Sequence, residues 1–267
     1  MSEAAAGPAP LPGEKPAEKH GPSLLALAYA LYAAAVLAVI VFVAGALLVM
    51  TLPTQAARRR AGRWSVLASM AAIAAPLHVR GREHLPPGPC LVVSNHASYV
   101  DGPVLAAALP ERFTFVVQDG AERWPYVGPA IRRMGVAFVN RRSAREGARQ
   151  TRALIRRVQQ GESLAVFAEG TFENAPGLLP FRNGAFMIAA HAGVPVVPAV
   201  IRGTRTLFGG GRLRLRRSRV EVEFFPALAP GGEHREAVVA LRDAARAVVL
   251  AHCGEPDASP ARKTAGA

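Results

Sequence analysis

Between Leu77 and Cys253, short runs of consecutive apolar residues alternate with stretches patterned at helical spacing. The runs Cys90–Ser94, Phe113–Val117, Val136–Asn140, Leu164–Ala168 and Val196–Ile201 are the kind expected when both faces of a sheet are covered. In Val220–Phe224, Val220, Val222 and Phe224 alternate with Glu221 and Glu223, which predicts a half-exposed strand. Ser143 and Glu146 form a capping box. Thr151, Leu154, Ile155 and Val158 then make one apolar stripe before Gly161 ends the helix. Asn183 is placed to cap a helix ending at Gly193, and a last helix covers about Arg235 to His252. Pro195 and Pro198 predict an edge or bulged strand, because proline cannot donate to a ladder. Strand–helix alternation of this kind predicts an α/β sandwich with a mixed sheet over residues 77–253. There is no internal repeat.

Ahead of that domain, residues 23–76 read as a membrane anchor. Leu24–Leu52 is a 29-residue stretch without a charged side chain. About 20 such residues cross a bilayer core, so the run predicts an N-terminal membrane helix. Arg58, Arg59, Arg60 and Arg63 follow, whereas Lys15 and Lys19 ahead of the run are offset by Glu3, Glu14 and Glu18. Charge asymmetry of this sign places the C-terminal bulk on the cytoplasmic face. Gly45 leaves a re-entrant hairpin open as the alternative to a single pass. A signal peptide fits less well, since its apolar core is about 7–15 residues long. A second apolar stretch, about 64–76, is too short to span and predicts a helix lying on the interface or the core. Residues 1–22 and 254–267 have the composition of disordered tails.

Composition narrows the partners. The formal charge of +13 is almost wholly arginine, since Lys15, Lys19 and Lys263 are the only lysines. Arginine's planar fork suits phosphate, in nucleic acid, phospholipid or coenzyme. Cys90 and Cys253 are too few for a disulfide framework or a zinc cluster, and no metal-ligand cluster is expected.

The candidate chemistry lies in Ser94-Asn95-His96-Ala97-Ser98-Tyr99-Val100-Asp101, which leaves a buried strand and opens a helix. Pro103 belongs in the first helical turn, so Asp101 falls at or near the N-cap, within reach of the His96 ring. A carboxylate there fixes the imidazole tautomer and leaves the other ring nitrogen to take a proton from a hydroxyl. On spacing alone, Asp101 as a helix cap, or Ser98-x-x-Asp101 as a capping box, is the competing reading.

Asn95-His96-x-Ser98-x-x-Asp101 resembles the first motif of the glycerolipid acyltransferases, the family that includes 1-acylglycerol-3-phosphate acyltransferases. Three further motifs follow in order. Gly135-Val-Ala-Phe138-Val-Asn-Arg141 is similar to the second, Phe167-Ala-Glu169-Gly170-Thr171 to the third and Val194-Pro195-Val-Val-Pro198 to the fourth. The resemblance implies His96 and Asp101 as catalytic residues, with acceptor contacts at Asn95, Arg141, Glu169, Gly170 and Thr171. It implies transfer of a fatty acyl group from acyl-CoA or acyl carrier protein to 1-acyl-sn-glycerol-3-phosphate, giving phosphatidate, with no cofactor and no covalent acyl-enzyme. The same chemistry on another lysophospholipid or lipid acceptor is the alternative. Where the family's third motif continues with arginine, this chain has Phe172. Either Arg182 supplies that phosphate contact or the acceptor is not a simple phosphomonoester.

Physical chemistry adds its own assignments. A carboxylate repels phosphate, so Glu169 is expected to bind the acceptor's glycerol hydroxyl or to hold Arg141. Ser98 fits a helix cap better than a nucleophile. Arg202–Arg219 carries seven arginines and no acid, and Arg212–Arg216 alternates as in a basic strand. Nucleic acid, anionic headgroups, and coenzyme A or an acidic carrier protein compete for that patch. The absence of interleaved aromatics disfavours nucleic acid. A non-catalytic membrane-bound lipid-binding or nucleic-acid-binding protein is the remote alternative.

Overall fold

The computed structural model describes residues 24–125, 127–139, 144–209 and 215–259. In chain order the helical elements before the sheet are α1 (Leu24–Leu37), a π-helical section (Ala38–Gly45), α2 (Ala46–Thr51) and α3 (Gln55–Ala72). Strands and helices then alternate: β1 (Leu77–Arg80), β2 (Leu91–Ser94), α4 (Asp101–Ala108), β3 (Phe113–Gln118), α5 (Val127–Arg133), β4 (Ala137–Val139), α6 (Ala144–Gln159) and β5 (Ser163–Phe167). The chain finishes with α7 (Gly184–Ala192), β6 (Val196–Arg202), α8 (Thr204–Leu207), β7 (Val220–Phe224) and α9 (Arg235–Cys253).

The strands form one sheet in the order β1-β7-β6-β2-β5-β3-β4, parallel throughout except for the antiparallel β6–β7 pair. Alternate residues of each strand feed two cores. Val92, Ala165, Val197, Ala199 and Ile201 meet Val66, Met70, Val104 and Leu105 from α3 and α4 on one face. Leu91, Val93, Leu164, Val196 and Val200 meet Leu154, Val158, Phe186, Ala189, Leu241 and Val249 from α6, α7 and α9 on the other. Two covered faces explain why the strands read as unbroken apolar runs. The half-exposed pattern expected for β7 is present, with Glu221 and Glu223 both paired to Arg202.

Of the edge or bulged strand expected at Pro195 and Pro198, the edge fails, since β6 lies between β7 and β2, and the bulge is present. Pro198 is tolerated there because the pairing steps by one residue between Ala199↔Phe224 and the Val196↔Leu228 bridge. This bulge sits opposite Pro198, whose carbonyl accepts the Phe225 N–H at 2.9 Å while no ladder bond demands its missing hydrogen. A single α-helix over Leu24–Leu52 is not shown: the run is helical from Leu24 to Thr51 but is divided by the π-helical section. No helix among the described residues is long and apolar enough to cross a membrane. The run passes through the π-helical section, turns at Leu52–Thr54 and returns as α3, capped by the Thr54 side chain. The arms touch along their length. Tyr29 and Tyr32 donate to the carbonyls of Ile73 and Ala72 at 2.9 and 3.0 Å. At Gly45 a Cβ would stand 2.9 Å from Ser65 Oγ, so glycine is what lets the arms close.

The second apolar stretch, inside α3, packs on the core through Val66 and Met70. The arginines after the run are tethered to the domain. Arg59 donates to Met134 O at 2.8 Å, to Glu111 O at 2.8 Å and to Thr114 Oγ1 at 2.8 Å, and Arg60 pairs with Glu111. Of the stretch expected to be a loose tail, Gly254–Ser259 is docked on the domain, and residues 260–267, like 1–23, lie outside the described residues. The basic strand expected at Arg212–Arg216 falls largely outside them too. Leu215 makes an isolated bridge with Phe208.

Candidate active site

Parallel pairing brings the C-terminal ends of β2, β5 and β6 to one edge of the sheet, and the motif residues leave from that edge. Asp101 is the first residue of α4 and is fully buried. Its Oδ2 accepts three hydrogen bonds, from the N–H groups of Ala97 (2.6 Å) and Ser98 (2.7 Å) and from the His96 ring at Nδ1 (2.9 Å). The carboxylate is therefore both the reciprocal half of a capping box and the partner of an imidazole. Helix capping and histidine orientation, competing readings of the sequence, are served by one oxygen. The Ser98 hydroxyl donates to Phe208 O, which ties the turn to the segment after α8 and takes that hydroxyl away from nucleophile duty.

The imidazole lies against aromatic rings. Phe167 stacks on it at 4.2 Å, and Phe172 meets it at 4.5 Å and 57°. Tyr99 packs edge-on against Phe172 at 4.8 Å. The sequence noted Phe172 only as a missing arginine. Its contact with His96 has no sequence signal, because it depends on how the connection after β5 folds back.

Glu169 differs from its expected use. It is 3 % exposed, and its carboxylate accepts the His96 main-chain N–H at 2.6 Å and the Leu179 N–H at 2.8 Å. Burial, with Asp101 and Glu255 nearby, pushes it up to about 7 despite those two hydrogen bonds. Both oxygens are thus engaged with main chain, one of them at the backbone of His96. Asn95 is 3 % exposed and similarly engaged. Its amide bonds the Ile201 main chain in both directions, at 2.9 and 2.8 Å, and joins the end of β2 to β6. Gly170 has φ +81°, a left-handed turn that favours glycine, and Thr171 is exposed beside it. Arg182 returns to the site: its N–H meets Ala168 O at 2.8 Å and its Nε meets Glu169 O at 3.1 Å. Arg141 lies outside the described residues, two positions past the last residue of β4. Among the described residues no group of His, Cys, Asp and Glu could hold a metal ion.

The arrangement can move one proton. Asp101 holds Nδ1, and Nε2 of the same ring has no hydrogen-bond partner among the described residues, leaving it free to act on an incoming hydroxyl.

The family model described as Acyltransferase matches residues 76–202, which include every motif residue above. Over this span the chain is similar to the acyltransferase family. It is 36% identical over 135 residues to a chloroplastic 1-acyl-sn-glycerol-3-phosphate acyltransferase of Brassica napus, covering 50% of this chain and 39% of that protein. It is 33% identical over 144 residues to a lyso-ornithine lipid O-acyltransferase of Pseudomonas aeruginosa, covering 54% of each. The chain spans about half the length of the curated relatives it matches. Its fold is that of the crystal structure of a 1-acyl-sn-glycerophosphate acyltransferase from Thermotoga maritima, with a TM-score of 0.70 at 24% identity over 86% of this chain and 95% of that one. In this chain Phe167 and Phe172 line the histidine, with Tyr99 packed against Phe172.

Proposed function

We propose that this protein transfers a fatty acyl group from acyl-CoA or acyl carrier protein to the free hydroxyl of 1-acyl-sn-glycerol-3-phosphate, forming phosphatidate. The observation that carries this reading is the His96 Nδ1–Asp101 Oδ2 contact of 2.9 Å, with the carboxylate fully buried. Nε2 of His96 takes the proton as the acceptor oxygen attacks the thioester carbonyl. The C–S bond then breaks, and the imidazolium returns the proton to the departing thiolate. The buried Asp101 charge stabilises that imidazolium, as low dielectric strengthens their attraction. Arg141 and Arg182 are the phosphate partners in this reading, because guanidinium groups bind phosphate bidentately. Support for Arg182 comes from its Nε bond to the Glu169 carbonyl, which holds the guanidinium at the site.

The reading includes attachment to a membrane, with the catalytic domain on the cytoplasmic face. Its support is the apolar exposed surface of the helical hairpin: Leu24, Leu25, Leu31, Val39, Leu47 and Trp64 are all more than half exposed. So much apolar surface on one element is the signature of an interaction with lipid or protein.

A second acceptor class is favoured by one observation. Phe172 stands beside His96 where the family's motif has arginine, and the Pseudomonas relative acts on a lyso-ornithine lipid. The test is turnover by the purified protein of labelled acyl-CoA and acyl carrier protein, with lysophosphatidate and lyso-ornithine lipid in parallel. Faster phosphatidate formation is expected. Preferential acylation of the lyso-ornithine lipid would overturn the phosphatidate assignment and leave the acyltransferase reading standing.

A further inference from the structure

The segment after α9 reaches the connection behind the site from outside the region matched by the family model. After α9, residues 255–258 run alongside the connection that follows β5. Leu178 donates its N–H to Pro256 O at 2.8 Å and accepts from the Ala258 N–H at 3.1 Å. Two arginines clamp this strap. Arg205 in α8 places Nε 2.6 Å from Glu255 Oε1 and donates through Nη1 to the carbonyls of Glu173 and Asn174, at 2.9 and 3.2 Å. The other Glu255 oxygen accepts the Gly177 N–H at 2.5 Å. Arg246 on α9 pairs with Asp257 at 2.5 Å and donates to the carbonyls of Leu178 and Leu179. The Arg205 and Glu255 side chains are 18% and 15% exposed, so water competes little for this pair. Gly177 has φ +147°, and a Cβ there would lie 2.7 Å from Ala258 Cβ. Only glycine admits the strap at that approach.

The connection held in this way, residues 173–179, ends at Leu179, whose N–H occupies Glu169 Oε2 while Oε1 holds the His96 N–H. A short chain of hydrogen bonds and backbone therefore leads from Glu255 to the main chain of His96. We infer that Glu255 is a positioning residue of the active centre: with Arg205 it fixes the 173–179 connection, and so aims Glu169 and the loop that carries His96. The inference rests on the reading of His96 as the base for acyl transfer. It gives the segment after α9 a part in catalysis without contact with either substrate.

The test compares the full-length wild type with Glu255→Gln and Glu255→Asp. Glutamine keeps the shape but lacks one acceptor and the charge, so either Arg205 or the Gly177 N–H loses its partner. For Glu255→Gln, kcat should fall about ten- to a hundredfold, the effect of displacing a catalytic group by roughly an ångström, with both KM values unchanged to within about twofold. Glu255→Asp should restore part of the loss. Hydrogen–deuterium exchange should speed up in the peptide containing His96 in the glutamine variant. A kcat within about twofold of wild type, a rise in KM alone, or a loss that follows the unfolded fraction on thermal melting would each overturn the inference. Failure of the acyl-transfer reading is a separate outcome. A wild type inactive on every acceptor sinks that reading, and the exchange measurement then decides the positioning role without it.

Discussion

At the scale of the residue, Asp101 Oδ2 does most to define the site, since it joins the His96 ring to two main-chain N–H groups. Replacing His96 with Ala should lower kcat by about 10²–10⁴, the usual contribution of positioned general-base catalysis, and leave the melting temperature near wild type. Asp101→Asn should cost less in kcat, because the imidazole stays while the charge that supports its protonated form is lost. Single-turnover assays beside melting curves check both, and a His96→Ala enzyme keeping more than about a tenth of its activity defeats the base role. Glu169 makes a prediction about pH. Its folded value of about 7 lies above the ordinary 4.5, so ionising it costs folding free energy. Its contribution to stability is fully present below about pH 4.5 and is lost as pH rises through 7, to the extent of on the order of 3 kcal/mol. Unfolding measured from pH 4.5 to 8 should show wild type losing stability relative to Glu169→Gln over that window. A difference that is flat with pH would refute it. At the acceptor end, Arg182→Ala should raise KM for lysophosphatidate about tenfold or more, as a charge-assisted bond of roughly 1.5–3 kcal/mol is removed. Phe172→Arg should leave that KM unchanged or lower it. A silent Arg182→Ala, measured on the same acceptor, removes Arg182 from the phosphate site.

At the scale of the element, the helical hairpin is joined to the sheet domain by arginines rather than by apolar packing alone. Arg59 carries three hydrogen bonds across that joint, to Met134, Glu111 and Thr114, and burial holds its pKa below the usual arginine value. Arg59→Ala should destabilise the fold by about 2–3 kcal/mol, since two carbonyls and a hydroxyl lose a charged donor. Chemical unfolding measures this, and a change within about 0.5 kcal/mol would show that the joint does not depend on it. The same arginines illustrate how a charge cluster after an apolar run takes its meaning from the turn ahead of it. With Pro53 and Thr54 reversing the chain, Arg58 donates to the carbonyls of Leu52 and Pro53, capping the end of the incoming arm.

At the scale of the whole molecule, catalytic loops and apolar hairpin belong to one compact unit, and α3 packs directly on α4, the helix that Asp101 begins. If the hairpin docks into one leaflet, both of its ends face the same side. Cysteines introduced at Glu14 and at the exposed Glu83, beyond the two ends of the hairpin, should then label from one side of sealed vesicles, against a quiet background because Cys90 and Cys253 are buried. Labelling from opposite sides would restore a spanning helix and refute a one-leaflet dock.

The sequence by itself determined the sheet domain and the motif residues. Strand runs were legible because both faces of the sheet are covered, and the order of the four motifs carried the resemblance to the glycerolipid acyltransferases. β1 was not legible: Leu77-His78-Val79-Arg80 is a short edge strand whose pattern is no stronger than a loop's. Tertiary structure decided the rest. That the Leu24–Leu52 run packs along α3 depends on Gly45 meeting Ser65, a contact between residues 20 apart in the chain. Whether Pro198 marks an edge depends on a bulge contributed by the segment after β7. Glu169 reads as a ligand contact from its motif, yet its oxygens are claimed by the N–H groups of His96 and Leu179. Local pattern reports hydrophobic period and turn chemistry. The partner of a buried carboxylate is chosen by which donors the folded chain leaves unsatisfied around it, and no local pattern encodes that.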